Sequence, residues 1–499
     1  MLTVRDVQAP VLQALVDAAE AAGARAFLAD TVLSPRPTLW ICGTPAQRRT
    51  ILADLNARDV RLFGLKGHHR RHLDPRGASA ASAVAYRKHV HDGVVIHGAG
   101  SGVEVEFCAH DPTTGLWRAA RAGVESVAHD GYLRGLEETA FLGRRLPELG
   151  NARALRAEAA VPRRIDVVYT WVDGSDPAWR ARKAEAEGGT TTALSGDATL
   201  STRFESQDEL ILSLRSTVRY LVGLGSIFVV TDRQVPALPD DLRARVRIVD
   251  HAEIFPDPAD LPTFNSHAIE AHLHRVPGLG EHYLYLNDDF LFGCAMGPSD
   301  FFDEMGRTKQ FRSTAASLPH EAASAEGIAS SLAGLNNRRL LRDRFGRFAF
   351  RKFKHAAYGI ARSVMERMER DLPEAWAATQ GNRFRSPGDH SIAGALYLHY
   401  AEIVGAAVPG DLRYGYYDTA HAPLREATAA LLRDDWERPQ MFCVNDSEPT
   451  HGSDMVKREL LALVRRVLPA EDGSVEPLPR PQSHVRRRYV VAGRKKLDL

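Results

Sequence analysis

The chain lacks any apolar run approaching the roughly 20 residues that span a bilayer. It has few cysteines. The 4 present, Cys42, Cys108, Cys294 and Cys443, lie too far apart in sequence for a metal-ligand spacing or a disulfide framework. A reducing compartment and a cytoplasmic location are therefore expected. Neither sign of charge is in excess: 64 Lys and Arg against 63 Asp and Glu leave a net charge of +1. That balance argues against a dedicated nucleic-acid binder, which is basic as a whole, so no nucleic-acid partner is expected. The opening MLTVRDVQAPVLQALVDAAEAAG has acids breaking its apolar pattern and does not read as a signal peptide.

What is present is the composition of a soluble globular protein, 44% hydrophobic and 25% charged. A chain of 499 residues exceeds one ordinary core, so two or three domains are expected. Residues 1–150 read as a small α/β domain of unknown role. Val11, Leu12, Leu15, Val16 and Ala19 form a helical stripe. Short strands are expected at Leu39–Cys42, Val60–Phe63, Val94–Ile96 and Val103–Phe107. The intervening HGAGSG is followed by strand-like VEVEF, so it reads as a hairpin turn and not as a phosphate loop, which should open a helix. A polar helical connector is expected over about 133–160. The central unit spans 161–450, and a C-terminal helix with a basic tail spans 451–499.

In the central unit, IDVVYTWVDGSDPAW is a buried strand of β-branched and aromatic residues running into a turn at Asp173 and Gly174. Ser206 to Glu209 has capping-box form before the helical ELILSLRSTVRYL. SIFVVTD ends a second strand at Asp232, VRIVD a third, and YLYLNDD a fourth at Asp288 and Asp289. Strand–helix–strand grammar with polar strand ends predicts an α/β fold, a Rossmann-like, mostly parallel sheet with helices on both faces. Ligands bind such sheets at the carboxyl ends of the strands. Two adjacent carboxylates where a buried strand leaves the core suit a divalent cation bridging a diphosphate; solvated turn acids are the alternative.

Further candidates follow. Leu261–Leu279 reads as a helix capped by Asn265 or Ser266, with Glu270, His274 and His267 at helical spacings; zinc is disfavoured because the order is not H-E-x-x-H. Asn336–Lys354 interleaves cations with Phe and suits either an anionic partner or a solvated helix face. His355, Arg383, Arg385, Asp389 and His390 come next. The tail residues Arg486–Arg488 and Arg494–Lys496 form either a solvated tail or a peripheral contact with anionic lipid at the inner membrane face.

The ordered blocks IDVVYTWVDGSDPAW, RFESQDELILSLRSTVRYL with SIFVVTDRQVP, LPTFNSHAIEAHLHRVPGLGEHYLYLNDDF, KHAAY, RFRSP and FCVND closely resemble the Stealth family of sugar-phosphate transferases. The likeness runs from about Ile165 to Asp446. It implies a glycosyltransferase-type fold and transfer of a sugar 1-phosphate from a UDP-sugar to a glycan or saccharide hydroxyl, with Mg²⁺ or Mn²⁺ and release of UMP, for capsular or exopolysaccharide synthesis. It also implies an active site of Glu270, Asp289, His355 and Arg385, with His355 as base or phosphate donor. Asp288 and Asp289 are the metal candidates. Asp173, Gly174, Arg203, Asp232, Asn265 and Ser266 are the nucleotide candidates. His267 stands where animal members carry Pro, and Asp173 where they carry Asn, which weakens an essential role for either. A conventional glycosyltransferase releasing UDP and a non-catalytic polyanion-binding protein are the alternatives.

Overall fold

The computed structural model describes residues 2–30, 35–66, 69–72, 81–119, 127–150, 164–188, 209–316, 329–349, 351–418, 424–445 and 453–468. The central unit is built on a five-stranded sheet in the order Val246–Asp250, Leu224–Thr231, Ile165–Thr170, His282–Asn287, Tyr358–Ala361. The first four strands run parallel, and Tyr358–Ala361 closes the sheet as an antiparallel edge. Its strands read as continuous apolar runs because both faces are covered. Val167, Tyr169, Leu284 and Leu286 enter the core that also holds Leu210, Leu214 and Val464. Val168, Tyr283 and Tyr285 enter the opposite core with Met365, Met368 and Trp376. Helices therefore lie on both faces, as the strand pattern predicts.

Helix Glu209–Tyr220 is bolted to the middle strand by buried polar groups as well as by packing. The Tyr169 hydroxyl lies 2.9 Å from Ser213 Oγ and 2.7 Å from Thr217 Oγ1, and Ser216 Oγ accepts from the Phe292 amide at 3.0 Å. A second, three-stranded sheet sets Phe290–Phe292 antiparallel to Met441–Asn445, which runs parallel to Tyr414–Asp418. The acids at 288 and 289 thus sit in a turn joining one sheet to the other, and the chain re-enters the core at once.

The N-terminal residues build their own eight-stranded sheet. Its main path is Arg25–Asp30, Thr38–Cys42, Val103–Asp111, Ser82–Tyr86, Arg61–Lys66, His69–His72, with helix Val4–Ala21 packed on it. Two expectations fail here. HGAGSG is not a hairpin: Val94–His97 pairs with His89–His91, and Ala99–Ser101 is a 3₁₀ turn leading to a strand of the larger sheet. The turn's amides hold an anion belonging to the chain itself. Gly98 and Gly100 N–H donate to the Asp435 carboxylate at 2.8 and 3.0 Å, and Ser101 Oγ donates at 3.1 Å. Nor is 133–160 a helical connector, because Glu138–Phe141 and Arg144–Pro147 form an antiparallel hairpin. Residues 151–163 lie outside the described residues.

A buried polar seam joins the two units. The fully buried Arg438 donates to Val95 O at 2.7 Å on one side, and to Gly293 O and Leu431 O at 3.0 Å on the other. Tyr220 donates to Ile96 O at 3.0 Å. Neither Asp435 nor Arg438 lies in a recognisable sequence pattern.

Candidate active site

Parallel pairing sets the ends of four strands at one edge. Thr170 is in register with both Val230 and Asn287, and Thr231 with Asp250. The loops after them carry Asp173, Asp232 and the Asp288–Asp289 turn.

Asp289 meets two groups distant in sequence. Pairing places Cys443 opposite Phe290, and the Cys443 thiol lies 3.0 Å from Asp289 Oδ2. One ligand atom each from Asp289, His355 and Cys443 lies within 4.8 Å of the others. The His355 ring stands edge-on to Phe290 at 4.6 Å, and its carbonyl accepts from the Tyr414 hydroxyl at 2.5 Å, so both ring and backbone are fixed. Burial pushes the Asp289 carboxyl up from the ordinary carboxylate range, while His355 and the Cys443 hydrogen bond pull it back. The Cys443 thiol is pushed well up by burial and by the Asp289 charge. It therefore stays protonated and donates to Asp289 instead of acting as a thiolate.

Asp289 Oδ1 lies out of solvent with no hydrogen-bond partner among the described residues. An orphaned buried carboxylate oxygen is costly, and a divalent cation or a substrate hydroxyl would satisfy it. With Cys443 protonated, the Asp289 carboxylate and the His355 imidazole remain as donors, and the carboxylate is the one that suits Mg²⁺ or Mn²⁺. We expect Cys443→Ser, whose hydroxyl still donates to Asp289, to keep most activity. Cys443→Val, which strands Oδ2 as well, should lose about tenfold. Initial rates of the two variants check this; equal rates would remove the thiol from the account.

Glu270 sits beside this group through Tyr285. The Tyr285 hydroxyl is 3.1 Å from Glu270 Oε1 and 2.9 Å from Asn287 Oδ1. Burial, then the Glu270 charge, push this phenol well up, so it remains a donor. Helix Ser266–Glu270 is a single short turn capped by Asn265, followed by a 3₁₀ turn at Leu273–Arg275. The long helix expected over Leu261–Leu279 is therefore broken, and its polar residues are sent apart. Glu270 faces Tyr285, His267 lies 3.3 Å from Asp389, and His274 lies 3.0 Å from Glu369. No Glu–His–His zinc set forms among them.

Arg385 arrives from the other side and donates to Ser266 Oγ at 2.8 Å, one helical turn from Glu270. Its loop is held by a buried hub. Asp389 accepts from Asn265 and Asn382 at 2.9 and 2.7 Å and from the Ser386 amide at 3.0 Å. Phe384 stacks on Phe264 with ring centroids 5.3 Å apart, a contact worth about 0.5–1.5 kcal/mol beyond burial. The Asn336–Lys354 stretch contributes here as a brace: Asn336 Nδ2 donates to Pro387 O and Asp389 O.

The nucleotide candidates divide. Asp173 Oδ1 accepts from the Ser175 amide and hydroxyl in a tight turn that carries Gly174, and Gln234 pins its backbone. Asp232 is buried and taken by Arg182 at 2.8 Å. Asn265 is fully buried and braces the Arg385 loop, while Ser266 contacts Arg385 itself. Arg203 lies outside the described residues, as does the basic tail. Two cavities open elsewhere, one at the opposite edge of the sheet and one beside Glu369, and neither is lined by these residues.

Comparison with known proteins agrees with the blocks. Residues 163–191, 203–310 and 354–402 match the family models described as Stealth protein CR1, conserved region 1, Stealth protein CR2, conserved region 2, and Stealth protein CR3, conserved region 3. The chain belongs to the Stealth family. Curated relatives include exopolysaccharide phosphotransferase SCO6023 of Streptomyces coelicolor, 45% identical over 59% of this chain and 49% of that protein. Another is exopolysaccharide phosphotransferase CpsY of Mycobacterium tuberculosis, 34% identical over 72% of this chain and 66% of that one. This Stealth chain spans about half the length of the first relatives it matches. Among solved structures, the galactosyltransferase LgtC aligns over 60% of the chain at 10% identity with a TM-score of 0.27, too low to constrain chemistry. Two of the matched regions carry the four expected site residues: 203–310 holds Glu270 and Asp289, and 354–402 holds His355 and Arg385. Cys443 and Tyr285 were not singled out as site residues from sequence, and Asp389, named there as a candidate, proves to be the hub that holds the Arg385 loop. FCVND does carry Cys443, but a sequence separation of 154 from Asp289 hides their contact.

Proposed function

We propose that this protein transfers a sugar 1-phosphate from a UDP-sugar to an acceptor hydroxyl, releasing UMP, in exopolysaccharide synthesis. The observation that carries the reading is the convergence of Asp289 and His355 at the carboxyl edge of a parallel sheet, with Glu270 and the Arg385 loop on the adjoining helix. The names of the relatives support the same class of reaction.

In this reading the acceptor oxygen bonds to the β-phosphorus, and the bond from that phosphorus to the oxygen bridging to the α-phosphate breaks. UMP leaves with the bridging oxygen, the acceptor proton is released, and the anomeric C–O bond survives. Asp288 and Asp289 would hold the divalent cation, which neutralises diphosphate charge when bound. With Asp289 committed to the cation, neighbouring His355 is the group placed to receive the acceptor proton. Tyr285 orients Glu270 and Asn287 by sharing one proton between two acceptors. Arg385 offers a planar fork to phosphate oxygens, steered by Ser266.

Arg385→Gln is expected to lower kcat by about 10²-fold while KM rises less, because the charge it stabilises grows in the transition state. Steady-state kinetics of UMP release test this. A pure KM effect would make Arg385 a donor-binding residue only.

A further inference from the structure

A cavity of about 330 Å³ opens at the edge of the central sheet opposite the acids. It is bounded by the start of helix Val4–Ala21, the end of helix Glu209–Tyr220 and the first residues of the central strands. Four arginines line it, Arg5, Arg164, Arg219 and Arg245, and among the described residues no carboxylate does.

That composition is costly if only protein occupies it. A guanidinium in a partly desolvated space attracts an anion more strongly, because the low dielectric screens it less. Burial pulls Arg5 down to about 10, with no carboxylate opposing the shift. The carboxylates nearest in sequence are engaged elsewhere. Asp6 accepts from the Thr3 amide and hydroxyl as part of a helix cap. Asp166 accepts from the Ser226 and Gly280 amides. Arg5 is held at 2.9 Å by Gln8 and packs over Phe141, and Arg219 donates to Val467 O at 3.3 Å, so both are positioned in advance. The amino end of the 18-residue helix Val4–Ala21 adds positive potential. The carboxyl end of Glu209–Tyr220 subtracts from it, which leaves the arginines as the deciding charge.

We propose that this cavity is a binding site for a phosphate-class oxyanion, separate from the acid edge of the sheet. Guanidinium forks match phosphate oxygens two at a time, and Arg164 and Arg245 are exposed enough to close on a ligand entering from solvent. The volume admits a phosphate carried on a small group. The inference does not depend on the transfer reaction proposed above.

Pyrophosphate is the probe. Calorimetric titration of the full chain should show saturable binding. Arg164→Ala with Arg245→Ala should weaken it about tenfold or more, since each removes charge-assisted hydrogen bonds. UMP release should be unchanged, because neither residue lies at the acid edge. Both side chains are exposed, and the single variants Arg164→Gln and Arg245→Gln, each expected to weaken binding by a smaller factor, serve if the double variant misfolds. Cosedimentation with phosphatidylglycerol vesicles that pyrophosphate displaces would identify the source as a lipid headgroup. Indifference to vesicles alongside pyrophosphate binding would identify a soluble phosphate. Pyrophosphate affinity identical in wild type and the arginine variants, or no binding to wild type, overturns the site.

Discussion

Asp289→Asn is expected to cut turnover by about 10²–10³ while leaving the fold intact. The side chains are nearly isosteric, and the amide oxygen can still accept from Cys443. What is lost is the charge at Oδ1, which has no hydrogen-bond partner among the described residues. The sign of the stability change follows from the direction of the shift. Burial raises the folded carboxyl above its unfolded value, so the ionised form costs stability at pH above the folded value, and that cost is relieved as pH falls through it. At neutral pH the neutral asparagine should therefore melt no lower than wild type. Thermal denaturation beside UMP-release rates checks both halves. Full activity would remove Asp289 from the chemistry, and a large drop in Tm would make its role structural.

The second large effect is on stability. Arg438→Met should cost at least about 3 kcal/mol, because it strands buried carbonyls of Val95, Gly293 and Leu431. Arg438→Lys should recover part of that loss, since lysine keeps the charge but not the fork. Denaturant midpoints measure both. Arg438 bonds to none of Glu270, Asp289, His355 or Arg385, so the surviving folded fraction should keep its KM. A midpoint unchanged in Arg438→Met would mean that the N-terminal sheet and the central unit are not fastened by these bonds.

How much could be read in advance depended on whether a feature was local. The central sheet was legible, because strands buried on both faces have an unmistakable apolar run and end at polar turns such as Asp173 and Asp288–Asp289. Helix Glu209–Tyr220 was legible for the same reason. The helix expected at Leu261–Leu279 was not. Its spacing looked continuous, yet each polar residue found a different partner, Asp389, Tyr285 or Glu369, and those tertiary bonds override the local period. HGAGSG failed likewise, since its amides answer to Asp435, more than 300 residues away. In the site, the motif blocks name Glu270, Asp289, His355 and Arg385, but not what aims them. Cys443, Tyr285 and the Asp389 hub act through strand register and buried hydrogen bonds that no spacing encodes.

The central claim is about which bond breaks. A transferase that stabilises the β-phosphoryl group releases UMP and leaves phosphorus in the glycan. One that stabilises an oxocarbenium-like sugar releases UDP and leaves none. Incubating the protein with UDP-sugar labelled at the β-phosphorus, an acceptor saccharide and Mg²⁺ or Mn²⁺, then resolving the nucleotides and the saccharide, separates the two. UMP is expected, with the label in a phosphodiester of the saccharide product. UDP carrying all of the label, with a phosphorus-free saccharide, would contradict it.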